Sequence, residues 1–288
     1  MVKPKKSKRA RSSSSAQPSR KTRANSSTSA PIGRRPLQLD DHKYTRGVVA
    51  VAAGSQRYPG AATLAVGGAR RGGAGYVKFL SKSNSLIQQI IHQYPDVVPI
   101  RDINDQRIDA VVVGPGGISL KKLPAIARVV LDGAAMKLVL GSKSNPGSVS
   151  ATRPMNQLIV LTPHEGELRE IGFSKPTTKK ERLSVSQKIA DQLNVIVVLK
   201  GKQTIIAAPN LKIIIDSRGG PELATAGTGD VLAGLIGAFL ASWGPEDLKE
   251  AQNVVAAAVQ LHSKAGSYAA KKYSSVVATD ILESLAYC

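Results

Sequence analysis

Short, unbroken apolar runs alternate with longer alanine-rich or amphipathic stretches from about Arg46 to the end of the chain. That alternation is its strongest constraint on fold. A strand whose every residue is apolar is buried on both faces, and helices between such strands supply the two covering layers. Val48 to Ala53 reads as such a strand, stopped by Gly54, and Ala61 to Arg71 as the helix that follows. Tyr76 to Leu80, Ala110 to Val113, Lys137 to Leu140, Leu158 to Leu161 and Val195 to Leu199 repeat the strand signal, with Thr204 to Ala208 and Lys212 to Ile215 as a hairpin pair. Helices are expected over Leu86 to Gln93, Leu120 to Leu131, Lys179 to Leu193, Thr228 to Ser242, Asp247 to Lys271 and Thr279 to Leu285. The pattern predicts an α/β fold, three layers (α/β/α) around a mostly parallel central sheet. In such sheets ligands sit outside the carboxyl ends of the strands, so the loops that follow strands are where chemistry is sought.

Charge divides the chain in two. The net charge is +20, but the first 36 residues hold eleven Lys or Arg and no acid, which leaves +9 for the rest. Residues 1 to 36 are Ser-rich with almost no large apolar side chain. They cannot offset ordering entropy by burial and read as a disordered basic tail before a single domain, 37 to 288. A solvated tail, weak polyanion binding and a transit peptide are all compatible with that composition. The moderately basic body does not by itself indicate a nucleic-acid enzyme. Cys288 is the sole cysteine, which excludes an internal disulfide framework and suits a reducing, cytoplasmic setting. No apolar run approaches the roughly 20 residues a membrane helix needs.

The segment Ala224-Thr225-Ala226-Gly227-Thr228-Gly229-Asp230-Val231-Leu232-Ala233-Gly234 carries the most chemistry. A glycine turn enters a helix whose first amides lack internal partners and whose dipole is positive at that end, so Gly227, Thr228 and Gly229 form a candidate anion hole. Asp230, in the first turn, reads equally as a helix cap or as a catalytic carboxylate. The spacing matches neither a Walker A loop nor a GxGxxG turn. Leu161-Thr162-Pro163-His164-Glu165-Gly166-Glu167-Leu168 puts His164 at a strand end, where Glu165 and Glu167 also suit a helix start. Lys200-Gly201-Lys202-Gln203-Thr204, between two strands, can reach phosphate oxygens or can be a charged hairpin tip. Gly54 to Ala61 and Gly114-Pro115-Gly116-Gly117 are glycine-bearing loops after strands. No His or Cys spacing suggests a zinc site, and no metal ligand is assigned.

In this order, GSQRYPGAA, VVVGPGG, LTPHEGEL, VLKGKQT and LATAGTGDVLAG, with the closing ATDILESL, resemble the NAD(P)H-hydrate dehydratase family of the ribokinase-like superfamily. The resemblance runs from about Arg46 to Ala286 and implies a metabolite-repair lyase. Hydrated, inactive NADH or NADPH (the 6S form) is phosphorylated on its ring hydroxyl by ADP or ATP, with ADP favoured. Phosphate then leaves and the nicotinamide double bond returns. It implies Asp230 as the base, Ala61, Gly116, His164 and Asp230 as hydrate contacts, and Lys200, Gly201, Lys202, Gln203, Thr204 and Gly229 as contacts to the AMP moiety. Mg²⁺ would offset phosphate charge, a homotetramer is the family habit, and the helix start is expected to favour the ionised form of Asp230.

Two departures stand against the family pattern. The usual Asp-Ala-Asp-Ala-Leu run, which follows the strand that precedes the Thr162-Pro163-His164 segment, reads Val139-Leu140-Gly141-Ser142-Lys143-Ser144-Asn145 here, without acids. Ser217 to Glu222 replaces an Asn-rich approach, and Ala226 a frequent glycine. A small-molecule kinase of the same superfamily, phosphorylating a vitamin or sugar alcohol, and a nucleotide-binding protein acting through its basic tail are the alternatives.

Overall fold

The computed structural model describes residues 33–104, 107–117, 120–140 and 156–288. Its centre is a nine-stranded sheet: β1 (Val48–Ala52), β2 (Tyr76–Leu80), β3 (Val98–Ile100), β4 (Ala110–Val113), β5 (Arg128–Leu131), β6 (Leu158–Leu161), β7 (Ile196–Leu199), β8 (Thr204–Ala207) and β9 (Ile214–Asp216). The spatial order is β3-β2-β1-β4-β5-β6-β7-β8-β9, with β3 through β7 parallel and the last two pairings antiparallel. This is the α/β architecture the alternation predicts.

Residues of alternate parity face opposite layers, as the pleat requires. Val49, Val51, Val112, Val130, Val160 and Val198 pack beneath α1 (Pro59–Arg71), α2 (Asn84–Gln93), α4 (Thr228–Trp243), α5 (Leu248–Lys272) and α6 (Ala278–Ser284). Ala50, Val111, Val113, Val129, Leu131, Ile159, Leu161 and Leu199 pack against α3 (Lys179–Leu193) and the 3₁₀ turns Gly133–Val139 and Glu165–Ile171. The chain leaves β1 toward β2 and returns on the other side at β4, so the order reverses between β1 and β4. A crevice opens at such a reversal.

Two expected elements are different. Leu120 to Leu131 holds no helix among its described residues; Pro124 interrupts it and its last four residues are the buried strand β5. Lys137 to Leu140 is not a strand but the end of the 3₁₀ turn Gly133–Val139. The strand preceding β6 in the sheet is therefore β5, and the residue that follows it is Asp132. The segment after that strand is Asp132-Gly133-Ala134-Ala135-Met136, which opens on an acid, rather than the acid-free stretch Val139 to Asn145, whose residues 141–145 lie outside the described ones. The basic tail falls almost wholly outside the described residues. Arg34 and Arg35 do rest on the body: Arg34 donates to the carbonyls of Arg71 (2.7 Å), Cys288 (2.8 Å) and Leu285, and Arg35 pairs with Asp41 at 2.5 Å.

Candidate active site

The carboxyl ends of β1, β4, β5, β6 and β7 bring five sequence-distant segments to one edge. The loops after β1 and β4 are knitted together: the Gly54 amide donates to the Pro115 carbonyl (2.7 Å), and the Ser55 hydroxyl to the Gly116 carbonyl (2.7 Å). Gly116 is required there. Its φ is +70°, and a Cβ would stand 2.4 Å from the Ala61 side chain. Ala61 and Gly116 are thus in direct contact, with Ala61 buried at the start of α1.

At the head of α4, Gly227 adopts φ +92° and supplies no side-chain cap, so the first amides of the helix meet no capping group of their own chain. The Thr228 hydroxyl is spent on the carbonyls of Leu223 (2.9 Å) and Thr225 (3.1 Å), which pins the turn. His262 of α5 is buried close to the Thr228 backbone, and its Nε2 finds no hydrogen-bond partner among the described residues. Burial lowers that imidazole to about 4, so it is neutral.

Asp230 sits half-buried in the first turn. The helix start was expected to favour its ionised form, but the opposite holds: burial, and then the nearby Asp132 carboxylate, raise it to about 7 against the pull of Lys200, with Glu167 adding to the rise. Desolvation and the neighbouring carboxylates outweigh the lysine.

Lys200 is fixed at both ends. Its amide donates to the Pro163 carbonyl (2.8 Å), forming a parallel bridge with His164, and its Nζ meets Asp132 Oδ1 at 3.1 Å. A Cβ on Gly229 would lie 3.2 Å from that Nζ, so the ammonium stands against the head of α4. Burial pulls Lys200 down, yet Asp132, Glu167 and Asp230 together carry it above the ordinary lysine value. It is a firm cation.

A cleft of about 1160 Å³ opens beside this cation. Lys200, Gly201, Lys202, Gln203, Thr204, Thr228 and Gly229 all line it, with Leu223, Leu232 and Val259 as apolar wall. Arg182 of α3, missed in sequence, braces its floor: it pairs with Glu165 (2.8 Å) and donates to the Gln203 carbonyl (2.8 Å). A Cβ on Gly201 would meet Arg182 Nη2 at 2.5 Å, so the guanidinium lies directly against the Gly201 backbone. Asp230, His164, Ala61 and Gly116 lie outside the cleft lining; Lys200 and Gly229 stand on the border between the two groups. His164 caps the 3₁₀ turn, its Nδ1 accepting from the Gly166 amide (2.9 Å), and its side chain is 59% exposed. Glu167 returns the cap to the His164 amide (2.7 Å).

Three further residues at this edge, Asp132, Arg182 and His262, were not singled out by motif. The edge thus offers a half-buried carboxylate titrating near neutrality, uncapped amides, one firm cation and a nucleotide-sized cleft. That set can deprotonate an alcohol and stabilise a transferring phosphoryl group. Among the described residues no three His, Cys, Asp or Glu side chains are grouped to hold a metal, and no helix is long and apolar enough to cross a membrane.

Residues 49–286 match the family described as NAD(P)H-hydrate dehydratase. An ADP-dependent (S)-NAD(P)H-hydrate dehydratase of Lactococcus lactis is 33% identical over 85% of this chain and 90% of its own length. A bifunctional NAD(P)H-hydrate repair enzyme of Gloeobacter violaceus is 32% identical over 81% of this chain; the chain spans about half of that relative, 47%. Among solved structures, the ADP/ATP-dependent NAD(P)H-hydrate dehydratase of Bacillus subtilis, co-crystallised with ATP and Mg²⁺, superposes with a TM-score of 0.72 at 26% identity. That likeness covers 88% of this chain and 92% of the other. A ribokinase-like protein of Enterococcus faecalis gives 0.70 at 26% identity, over 88% and 89%.

Proposed function

This chain belongs to the NAD(P)H-hydrate dehydratase family, and from that premise we propose that it restores hydrated NADH or NADPH by nucleotide-dependent dehydration, with ADP as the favoured donor. The observation that carries the reading is Asp230: a carboxylate raised to about 7, set among uncapped amides and beside Lys200 at the border of a nucleotide-sized cleft.

Lys200 to Thr204 and Gly229 hold the AMP moiety in the cleft, while Ala61, Gly116 and His164 receive the hydrated nicotinamide on the other side of the α4 head. Asp230 takes the proton of the ring hydroxyl, and the hydroxyl oxygen bonds to the terminal phosphorus of ADP as the bond to AMP breaks. A base titrating near neutrality is ionised enough to be available and basic enough to accept. The Gly227, Thr228 and Gly229 amides and the Lys200 ammonium meet charge developing on the transferred group. Hydroxide is a poor leaving group; phosphate is a good one. The ring nitrogen's electron pair expels it, and loss of a proton from the adjacent carbon restores the double bond.

Mg²⁺ would come with the nucleotide and offset phosphate charge, since among the described residues no three His, Cys, Asp or Glu side chains are grouped to hold it. The reading extends to a homotetramer working in the cytoplasm, with the basic tail free to bind polyanions weakly. Its test is incubation of hydrated NADPH with ADP and Mg²⁺. Recovery of the reduced nicotinamide's near-ultraviolet absorbance with stoichiometric inorganic phosphate is expected; a stable phosphorylated substrate would indicate a kinase instead.

A further inference from the structure

Asp132 is the buried partner that the reaction described above leaves without a task. It follows β5 directly, its side chain is 9% exposed, and its backbone is bonded on both sides: its amide donates to the Val113 carbonyl (3.0 Å) and its carbonyl accepts from the Ala135 amide (3.1 Å). The fully buried Thr162 hydroxyl donates to Oδ1 at 2.6 Å, and Lys200 Nζ approaches the same oxygen at 3.1 Å. Two donors on one oxygen, from the residues that follow β6 and β7, fix the carboxylate.

A lysine ammonium is a point charge on a flexible four-carbon stem, and its place is set by whichever anion holds it. Three carboxylates act on Lys200: Asp132, Glu167 and Asp230. Only Asp132 is within ion-pair distance. Were the ammonium drawn to Asp230, that carboxylate would be occupied and its basicity lowered. We propose that Asp132 is a positioning residue for the phosphoryl-transfer step, holding the Lys200 ammonium at the Gly229 backbone and away from Asp230. The inference rests on the functional reading above and adds to it a division of labour: one acid serves the cation, the other serves the substrate hydroxyl.

The test is Asp132→Asn, which keeps shape and removes charge, assayed for turnover across pH and for ADP affinity by calorimetry. Turnover should fall roughly 10- to 100-fold, the loss typical of a displaced catalytic group. The acid limb of the pH profile should move to lower pH. The groups facing Asp230 are Asp132, Lys200 and Glu167; the substitution deletes one anion and frees the cation to approach. ADP affinity should shift by no more than turnover does, because Lys200 serves the nucleotide as well; movement of the acid limb is what separates a displaced ammonium from a general loosening of the site. In a Lys200→Met background, adding Asp132→Asn should cost less than about twofold more, since a residue acting through Lys200 has nothing left to act on. Unchanged turnover and acid limb in Asp132→Asn, or losses that multiply in the double variant, would overturn the proposal.

Thr162→Val serves where Asp132→Asn does not fold. It keeps the charge pair but frees the carboxylate, and turnover about three- to tenfold below wild type at unchanged ADP affinity is expected. Wild-type turnover would count against the proposal. Should wild-type protein not restore hydrated NADPH at all, the functional reading fails; an active wild type with an indifferent Asp132 sinks this inference alone.

Discussion

Asp230 concentrates the account at the level of single residues. Because its carboxyl titrates at about 7 rather than at the ordinary 3.8, it is protonated and unable to accept a proton below neutrality. The pH profile of kcat/KM for ADP, which reports the free enzyme, should therefore rise through an inflection near 7 and flatten above it. Stability runs the other way. A raised carboxyl pKa means the fold prefers the neutral acid, so this contribution is fully present below about 3.8 and is lost as pH climbs through 7. Asp230→Asn, neutral at every pH, should melt a few degrees above wild type at pH 8, with the gap closing toward pH 4, while ADP affinity stays within about threefold. Asp230 and Lys200 were legible because each lies inside a local motif. Asp132, Arg182 and His262 were not, because what marks them is a neighbour on another strand or helix: Thr162 and Lys200 for the first, Glu165 and Gln203 for the second, Thr228 for the third. The raised value of Asp230 was equally hidden, since burial and a carboxylate some hundred residues away decide it.

At the scale of elements, the site depends on how closely α4 lies on α1. A Cβ on Gly234 would stand 1.9 Å from the Ala65 carbonyl oxygen, and one on Gly68 would stand 2.2 Å from that of Val231. These contacts are with backbone, which cannot rotate aside. Gly234→Ala should destabilise the domain by about 3 kcal/mol or more, read from denaturant unfolding, and lower turnover by tilting the head of α4. The strands β1, β2, β4, β6 and β7 and all six α-helices were visible in the pattern of apolar runs, to within a few residues at their ends. β5 was not. Ile126 to Leu131 is a short apolar stretch broken by Arg128, and periodicity cannot separate a buried strand of four residues from a turn of helix. Misplacing that strand by nine residues also displaced the acidic position that follows it. β3 escaped because it has three residues, one of them Pro99, which only an edge strand tolerates.

For the whole molecule, the charge imbalance separates catalysis from any role of the tail. Removing residues 1–32 takes away most of the basic tail and leaves Arg34 in place. It should leave turnover unchanged within about twofold and abolish salt-sensitive retention on heparin or RNA. Arg34→Ala should act differently, lowering the melting temperature by about 2 to 4 °C through loss of its bonds to the ends of α1 and of the chain. The measurement that bears most directly on the central claim is a single assay. Hydrated NADPH, ADP and Mg²⁺ are mixed with wild type or Asp230→Asn protein, and reduced nicotinamide, AMP and inorganic phosphate are followed together. Equal yields of all three are expected from wild type, with a loss of roughly 100-fold or more in the variant. Full turnover by Asp230→Asn, or AMP formed with phosphate retained on the substrate, would contradict it.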